Sequence, residues 1–456
     1  MRLRLVTGLA LGVVGLTSCS LLTDLSGFSG GVDDCEGGAC SDAPSALDAR
    51  GADGAGEGGD ADAAPCVPTD VIDPSLLSDA VALALGGGFS CALRTNATVA
   101  CWGDNGDDVL GVQSGDRPTA GTVPGLSRIV AITAGLTFAC ALDADGHAWC
   151  WGDNTVGQLG SFPPNAGSHP PSMVKGPGGQ PLANVTAIDA GENHVCAIVS
   201  GAVWCWGAND MLQLGRTGSA SAPAPVASAL ANPVELAVGG SYACAIADGP
   251  TPIAKALYCW GSNGDNQLAN TGGNTATPQK IPVSLAAVGT LPVTATGHGH
   301  VCARDEKDAL WCWGENDFGQ LGPNIAPGPA SPVPQSIDAL GLVRMAAPGD
   351  DYTCAVARDG TTRCLGVNAI AQLGNDTIDI VPPDSGPPPA HTAATVVSGL
   401  PPVSRIAAGA EHTCAILARS CPDVAGPVMC WGQNAAGELG NGTMKPSRVP
   451  VAVLAP

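Results

Sequence analysis

One short phrase recurs through this chain, and it restricts the fold more than anything else in the sequence. Cys150-Trp151-Gly152-Asp153-Asn154 with Gln158-Leu159-Gly160 returns as Cys205-Trp206-Gly207-Ala208-Asn209 with Gln213-Leu214-Gly215, and as Cys312-Trp313-Gly314-Glu315-Asn316 with Gln320-Leu321-Gly322. Weaker copies begin at Cys101, Cys259, Cys364 and Cys430; the copy at Cys364 carries Leu365 for Trp, and the copy at Cys259 ends in Ala269 for Gly. Upstream of each lies a Gly, then an aromatic residue or His three places on, then a Cys two further. These sets are Gly86/Phe89/Cys91, Gly135/Phe138/Cys140, Gly191/His194/Cys196, Gly239/Tyr242/Cys244, Gly297/His300/Cys302, Gly349/Tyr352/Cys354 and Gly409/His412/Cys414. The period suits a four-stranded propeller blade, and pieces such as Ile129 to Ala134 and Ala148 to Trp151 are too short for helices. Seven copies predict an all-β, seven-bladed β-propeller of four-stranded blades.

Composition agrees and narrows the partners. Gly 63 and Pro 38 among 456 residues, with 13% charged, exclude a coiled coil or helical bundle. Lys and Arg number 19 against 41 Asp and Glu, a formal charge of −22 with no basic run, so the chain repels phosphate backbones and no nucleic-acid partner is expected.

The first residues read as an address. Met1-Arg2-Leu3-Arg4 is basic, Leu5 to Leu16 is apolar but too short to span a bilayer, and Leu16-Thr17-Ser18-Cys19 follows. This end resembles the lipobox of bacterial lipoproteins, which implies a signal peptide over 1–18, cleavage before Cys19 and lipidation of its thiol. Ser20 resembles the outer-membrane sorting pattern. The expectation is an exported protein, lipid-anchored at the outer membrane or cell surface. Residues 19–70 are rich in Gly, Ala and Asp with few aliphatics, a disordered acidic tether that fails the calcium-loop spacing, and 71–456 form the propeller.

Within each repeat the two cysteines fall on neighbouring strands. Cys140 and Cys150 flank Asp143-Ala144-Asp145-Gly146, which suits a tight hairpin. Opposed side chains across such a pair approach disulfide spacing, and an exported protein oxidises them. The expected pairs are Cys91–Cys101, Cys140–Cys150, Cys196–Cys205, Cys244–Cys259, Cys302–Cys312, Cys354–Cys364 and Cys414–Cys430. The alternative is seven pairs of small buried thiols. Cys35 with Cys40, and Cys66 with Cys421, are the remaining pairings. Trp149 and Trp151 flank Cys150 on the other strand face, so the tryptophans are expected to pack between blades. The strand Val449 to Leu454 is expected to close the ring beside Val81 to Leu85.

From Asp79 to Pro456 the repeats resemble the regulator of chromosome condensation family, with its G-x-x-H-[ST] and W-G-x-N-x-x-G-Q-L-G signatures. The resemblance implies a seven-bladed propeller and not one activity, since relatives include a nuclear nucleotide-exchange factor, a plant ultraviolet photoreceptor and secreted inhibitors of β-lactamase. Here the tryptophans occupy core repeat positions, so they are read as structural.

Catalytic signatures are missing: there is no G-x-S-x-G elbow, H-E-x-x-H helix, phosphate loop or CxxC pair. No enzyme activity, metal or cofactor is expected. His194, His300 and His412 share a repeat position with Phe and Tyr, which argues for packing or hydrogen bonding rather than metal ligation. The two residues after each blade Gly match those that the family resemblance implies to lie around the central channel. They include Glu192, Asn193, His298, Asp350, Asp351 and Glu411, and none is Lys or Arg. A cationic ligand or a protein with a basic patch suits such a face. The reading is a monomeric, non-catalytic scaffold binding a protein or envelope polymer. Alternatives are nucleotide exchange by analogy with the family, or a glycan-active envelope enzyme using a channel carboxylate pair.

Overall fold

A computed structural model describes residues 73–161, 164, 167–218, 221–226, 230–249, 255–283, 293–294, 297–305, 307–380, 388–419 and 425–456. The signal peptide, Cys19, the tether and the Cys35, Cys40, Cys66 and Cys421 pairings lie outside them. Seven antiparallel sheets of four strands follow one another along the chain, making a seven-bladed propeller. Blade one comprises Ala80–Leu85, Phe89–Arg94, Val99–Gly103 and Arg117–Thr122, and the later blades open at Ile129, Val185, Glu235, Val293, Val343 and Val403. First strands neighbour one another around the axis, and fourth strands form the rim.

Burial follows that order. The second strand of blade two, Phe138–Asp143, is buried at all six positions, whereas the outer strand of blade six, His391–Val396, has none buried. A mid-sheet strand has another blade against each face, so it must be small and apolar throughout.

Tryptophan and the repeat's Gln-Leu-Gly segment bind successive blades. Trp151 Nε1 donates to Val109 O at 2.7 Å, Trp206 to Gln158 O at 3.0 Å, Trp313 to Gln267 O at 2.7 Å and Trp431 to Gln372 O at 2.9 Å, each reaching into the preceding blade. Trp102 crosses from blade one to Glu438 O of blade seven at 2.7 Å. These rings are fully buried, so their indole N–H needs the partner it finds. Blade six lacks the ring, and there Thr353 Oγ1 donates to Gln320 O at 2.9 Å instead.

All fourteen blade cysteines are joined in disulfides, each between residues directly opposed on the second and third strands. The hairpin between them varies from 9 to 16 residues in separation while the Cα–Cα distance stays at 4.1–4.2 Å. Turn length is therefore free and strand register is not.

Ring closure differs from the expectation drawn from the sequence. Ser447–Ala452 does not lie beside the first strand of blade one; it is the outer strand of blade seven, with Val451 opposite Cys430 as Gly121 is opposite Cys101. Each blade is contiguous in sequence, so the last strand is already committed to the rim. Closure falls to the segment ahead of blade one. Leu77 N donates to Val453 O at 2.9 Å, Val428 N donates to Leu77 O at 3.0 Å, and Ala455 N donates to Ser75 O at 2.8 Å. Leu77 is buried with Val428, Leu439 and Val453, making an apolar plug between the chain's first and last described elements.

Candidate functional site

Two loops of each blade meet on one face. The loop between first and second strands carries the expected site residues, and the loop after the third strand carries the Trp-Gly-x-Asn segment. Their backbones are locked together: Glu315 N donates to Gly299 O at 2.9 Å, Val367 N to Asp351 O at 3.0 Å and Gln433 N to Glu411 O at 3.0 Å. The approach requires glycine after the tryptophan. Gly152 has φ +103, and a Cβ there would stand 2.7 Å from Thr137 O. The Asn that follows ties its own loop, with Asn105 Oδ1 accepting from Leu110 N at 2.9 Å and Asn105 Nδ2 donating to Ser114 O at 2.6 Å.

The first loops also chain to one another around the channel mouth. Gly87 N donates to Leu136 O, Leu136 N to Glu192 O, Glu192 N to Gly240 O and Asp350 N to Ala410 O, at 3.0 to 3.4 Å. This belt places Glu192 and Asp350 in the wall of a small cavity of about 50 Å³, with Leu85, Leu136 and Val238.

His298 is the cationic member of the cluster. Its Nε2 is 3.8 Å from Glu192 Oε1 and its Nδ1 4.0 Å from Glu315 Oε2, and it stays 62% exposed, open to anything approaching the face. Gly240 and Gly299 leave room for the acids: a Cβ on Gly299 would come within 2.5 Å of Glu315 Oε2 and 3.2 Å of Asp265 Oδ2.

Burial and mutual repulsion hold these carboxyls protonated to unusually high pH. Burial, then Asp351 and Asp265, push Glu315 up to about 7. Asp350 is pushed up to about 7 by burial, then by Glu192 and Asp351. Burial also raises Glu192 and Asp351. For His298, burial pulls down, but Glu192, Glu315, Asp350 and Asp265 outweigh it and raise the imidazole. The cluster carries excess negative charge that a single histidine does not neutralise.

Of the residues singled out in the sequence, Glu192, His298, Asp350, Asp351 and Glu411 interact electrostatically in this cluster. Asn193 lies instead in an open groove with Val156, Asn209, Asp210 and Ser221. Glu315, Asp265 and Asp317 belong to the cluster and were missed. They sit in the Trp-Gly-x-Asn loops, and only the backbone lock between the two loops brings them to the channel.

A further carboxylate lines the channel below. Asp189 Oδ1 accepts from Thr133 Oγ1 at 2.9 Å and Ala190 N at 3.0 Å, while Oδ2 accepts from Val238 N at 2.8 Å, clipping blades two, three and four. Burial is the main influence on it and raises its pKa to about 6. The buried histidines work in the seams: His300 Nε2 is 3.0 Å from Thr353 Oγ1, and burial lowers its pKa to about 4. Among the described residues no group of three or more His, Cys, Asp or Glu is arranged to hold a metal ion.

Comparison with known proteins matches models described as the regulator of chromosome condensation (RCC1) repeat, at residues 80–108 and 129–158 and at 145–198, 200–246 and 307–356. The chain is 27% identical over 280 residues to the E3 ubiquitin-protein ligase HERC2 of Mus musculus, covering 59% of this chain and 5% of that one. It is 28% identical over 280 residues to the ultraviolet-B receptor UVR8 of Arabidopsis thaliana, covering 59% and 58%. It thus spans only part of either relative. Among solved structures, human WBSCR16 superposes with a TM-score of 0.65 at 22% identity, covering 79% of this chain and 94% of that one. Prp20p of Saccharomyces cerevisiae, studied for its binding to Gsp1p and histones, gives 0.65 at 20%, covering 82% and 87%. Both likenesses are of fold.

Proposed function

We propose that this chain, which belongs to the regulator of chromosome condensation repeat family, is a binding propeller that captures a cationic segment of a partner protein on its acidic channel face, without turnover. The observation that carries the reading is the convergence of Glu192, Glu315, Asp350, Asp351 and Asp265 on one exposed histidine at the channel mouth. The face loops that build it contain no Lys or Arg. A cationic side chain entering there exchanges water for several carboxylates at once, and the same field steers its approach. The named partners of relatives such as Prp20p support protein binding as the general role. An exchange-factor reading has only the shared fold behind it.

The compartment belongs to the same proposal. Seven disulfides suit an oxidising compartment, and no helix among the described residues is long and apolar enough to cross a membrane. The chain is exported and held by lipid on Cys19, with the acidic segment 19–70 as a spacer that lets the propeller present its face to protein or envelope polymer. Cys19→Ala then moves the chain from the membrane fraction to the soluble fraction; retention in the membrane fraction refutes the anchor.

The test of the face uses a fluorescent Lys-rich peptide as probe. Binding should weaken steeply with salt and disappear in a Glu192→Gln/Asp350→Asn/Asp351→Asn/Glu411→Gln variant, whose near-isosteric side chains keep the fold. Undiminished binding by that variant removes the face from consideration.

A further inference from the structure

The fourth strand of each blade is a sheet edge, and proteins commonly blunt such edges with proline, which offers no N–H to a visiting strand. Register can be read from hydrogen bonds that repeat in every blade. Val123, Val174, Val226, Ile281, Ile337, Val397 and Val453 each donate N–H inward to Val99, Ala148, Val203, Leu257, Leu310, Thr362 and Val428 respectively, at 2.8–3.0 Å. Backbone groups alternate along a strand, so the residues one, three and five places earlier direct theirs outward.

Proline occupies the third place back in five blades, as Pro171, Pro223, Pro278, Pro334 and Pro450, with Pro225 and Pro332 as additional blocks at the first and fifth places. Blade one has Pro118 at the fifth place, where its carbonyl accepts from Gly442 N at 2.7 Å, and its Ala120 at the third place is only 3% exposed. Blade six alone has no proline in register. Its outward positions are Thr392, Ala394 and Val396, and Val396 is 53% exposed.

Charge identifies the occupant. His391–Val396 contains no Asp, Glu, Lys or Arg, and its one ionisable residue, His391, is held by Asp379 at 2.9 Å. Behind it, Arg363 is paired with Asp359 at 2.8 Å. In a chain of formal charge −22, most surfaces repel their own copy, whereas this edge brings no like charges into opposition. We propose that two copies of this chain pair through this strand, antiparallel about a two-fold axis at Ala394.

Alternation of side chains requires a residue at such an axis to face its own mate. Ala394 is small enough for that place, and Thr392 then opposes Val396 of the partner subunit, a β-branched pair suited to a sheet. The monomer expected from the sequence gives way to a dimer that displays two acidic faces. The proposal does not depend on what those faces bind.

Sedimentation equilibrium of the full chain, read with backbone deuterium exchange, tests it. The parent chain should show twice the monomer mass, with the Ala394 and Val396 amides gaining protection as concentration rises. Ala394→Pro should give the monomer mass with unchanged thermal stability, because five sister blades already hold proline in that register. Val396→Pro, with precedent in Pro225, decides the matter should the first variant fail to fold. A parent chain that stays monomeric at its solubility limit overturns the proposal. So does a dimer that survives the substitutions, or protection of Ala394 conferred by an added extended peptide without any doubling of mass.

Discussion

His412 Nε2 lies 2.8 Å from Ser90 Oγ, across the seam where blade seven meets blade one. Ser90 Oγ also donates to Glu438 O at 3.1 Å, so one buried hydroxyl holds two groups of the neighbouring blade. His300 and Thr353 repeat the arrangement between blades five and six, where Thr353 donates to Gln320 O. Tyr352 reaches Thr413 Oγ1 at 3.0 Å one seam later. The residue after the aromatic position thus carries a hydroxyl for three polar rings, whereas Phe89 and Phe138 face Ala139 and Val195 in the next blades.

His194 breaks this rule. Ala243 stands where the hydroxyl would be, and neither ring nitrogen of His194 has a hydrogen-bond partner despite complete burial. Ala243→Ser should therefore raise stability by about 1 kcal/mol, and Ser90→Ala should lower it by about 1–3 kcal/mol by orphaning His412. Denaturant midpoints of the two variants check the pair, and equal shifts of one sign would contradict the seam account.

Leu77→Ala should cost about 2–5 kcal/mol, since the side chain is 1% exposed and lies in the plug that joins the first blade to the last. Deuterium exchange should show faster exchange first in blades one and seven. Uniform acceleration around the ring would mean that closure lies elsewhere.

Removing a single staple, as in Cys140→Ser/Cys150→Ser, should cost about 2–4 kcal/mol through freedom returned to the unfolded chain. Without reductant, the fourteen blade cysteines should resist alkylation in denaturant, and mass spectrometry reads this directly.

The acidic face should be sensitive to pH. Glu315 and Asp350 have folded pKa values of about 7, raised from ordinary carboxylate values, so each binds its proton more tightly in the folded state. The stability they contribute is fully present below about pH 4 and is lost as pH rises through 7. Asp350→Asn should therefore stabilise the chain at pH 8, by about 1 kcal/mol after solvent screening, and have little effect at pH 4. Affinity for the Lys-rich peptide should fall in the parent chain as pH drops below 7, because the face loses charge. A flat affinity profile between pH 5 and 8 would contradict this electrostatic account.

Blade number, strand order and cysteine pairing were legible because they recur: a motif returning seven times with two cysteines in step leaves one register that opposes them. Glu192, Asp350 and their neighbours were legible by repeat position. Glu315 and Asp265 were not, because their place beside His298 depends on a backbone bond between two loops of one blade and on the small Gly240 and Gly299 nearby. Closure was misread because Val449 to Leu454 is strand-like in composition, and strand-likeness does not say which edge it joins.

By itself, the amino-acid order determined the repeating unit, the hairpin that each cysteine pair spans and the acidic bias of the face, all set by residues close in sequence. Tertiary structure alone decided which blades meet through hydroxyls, how the lead-in at Leu77 seals the ring, and which carboxylates share His298. These depend on distances between segments tens to hundreds of residues apart, which the packing of seven sheets about one axis establishes.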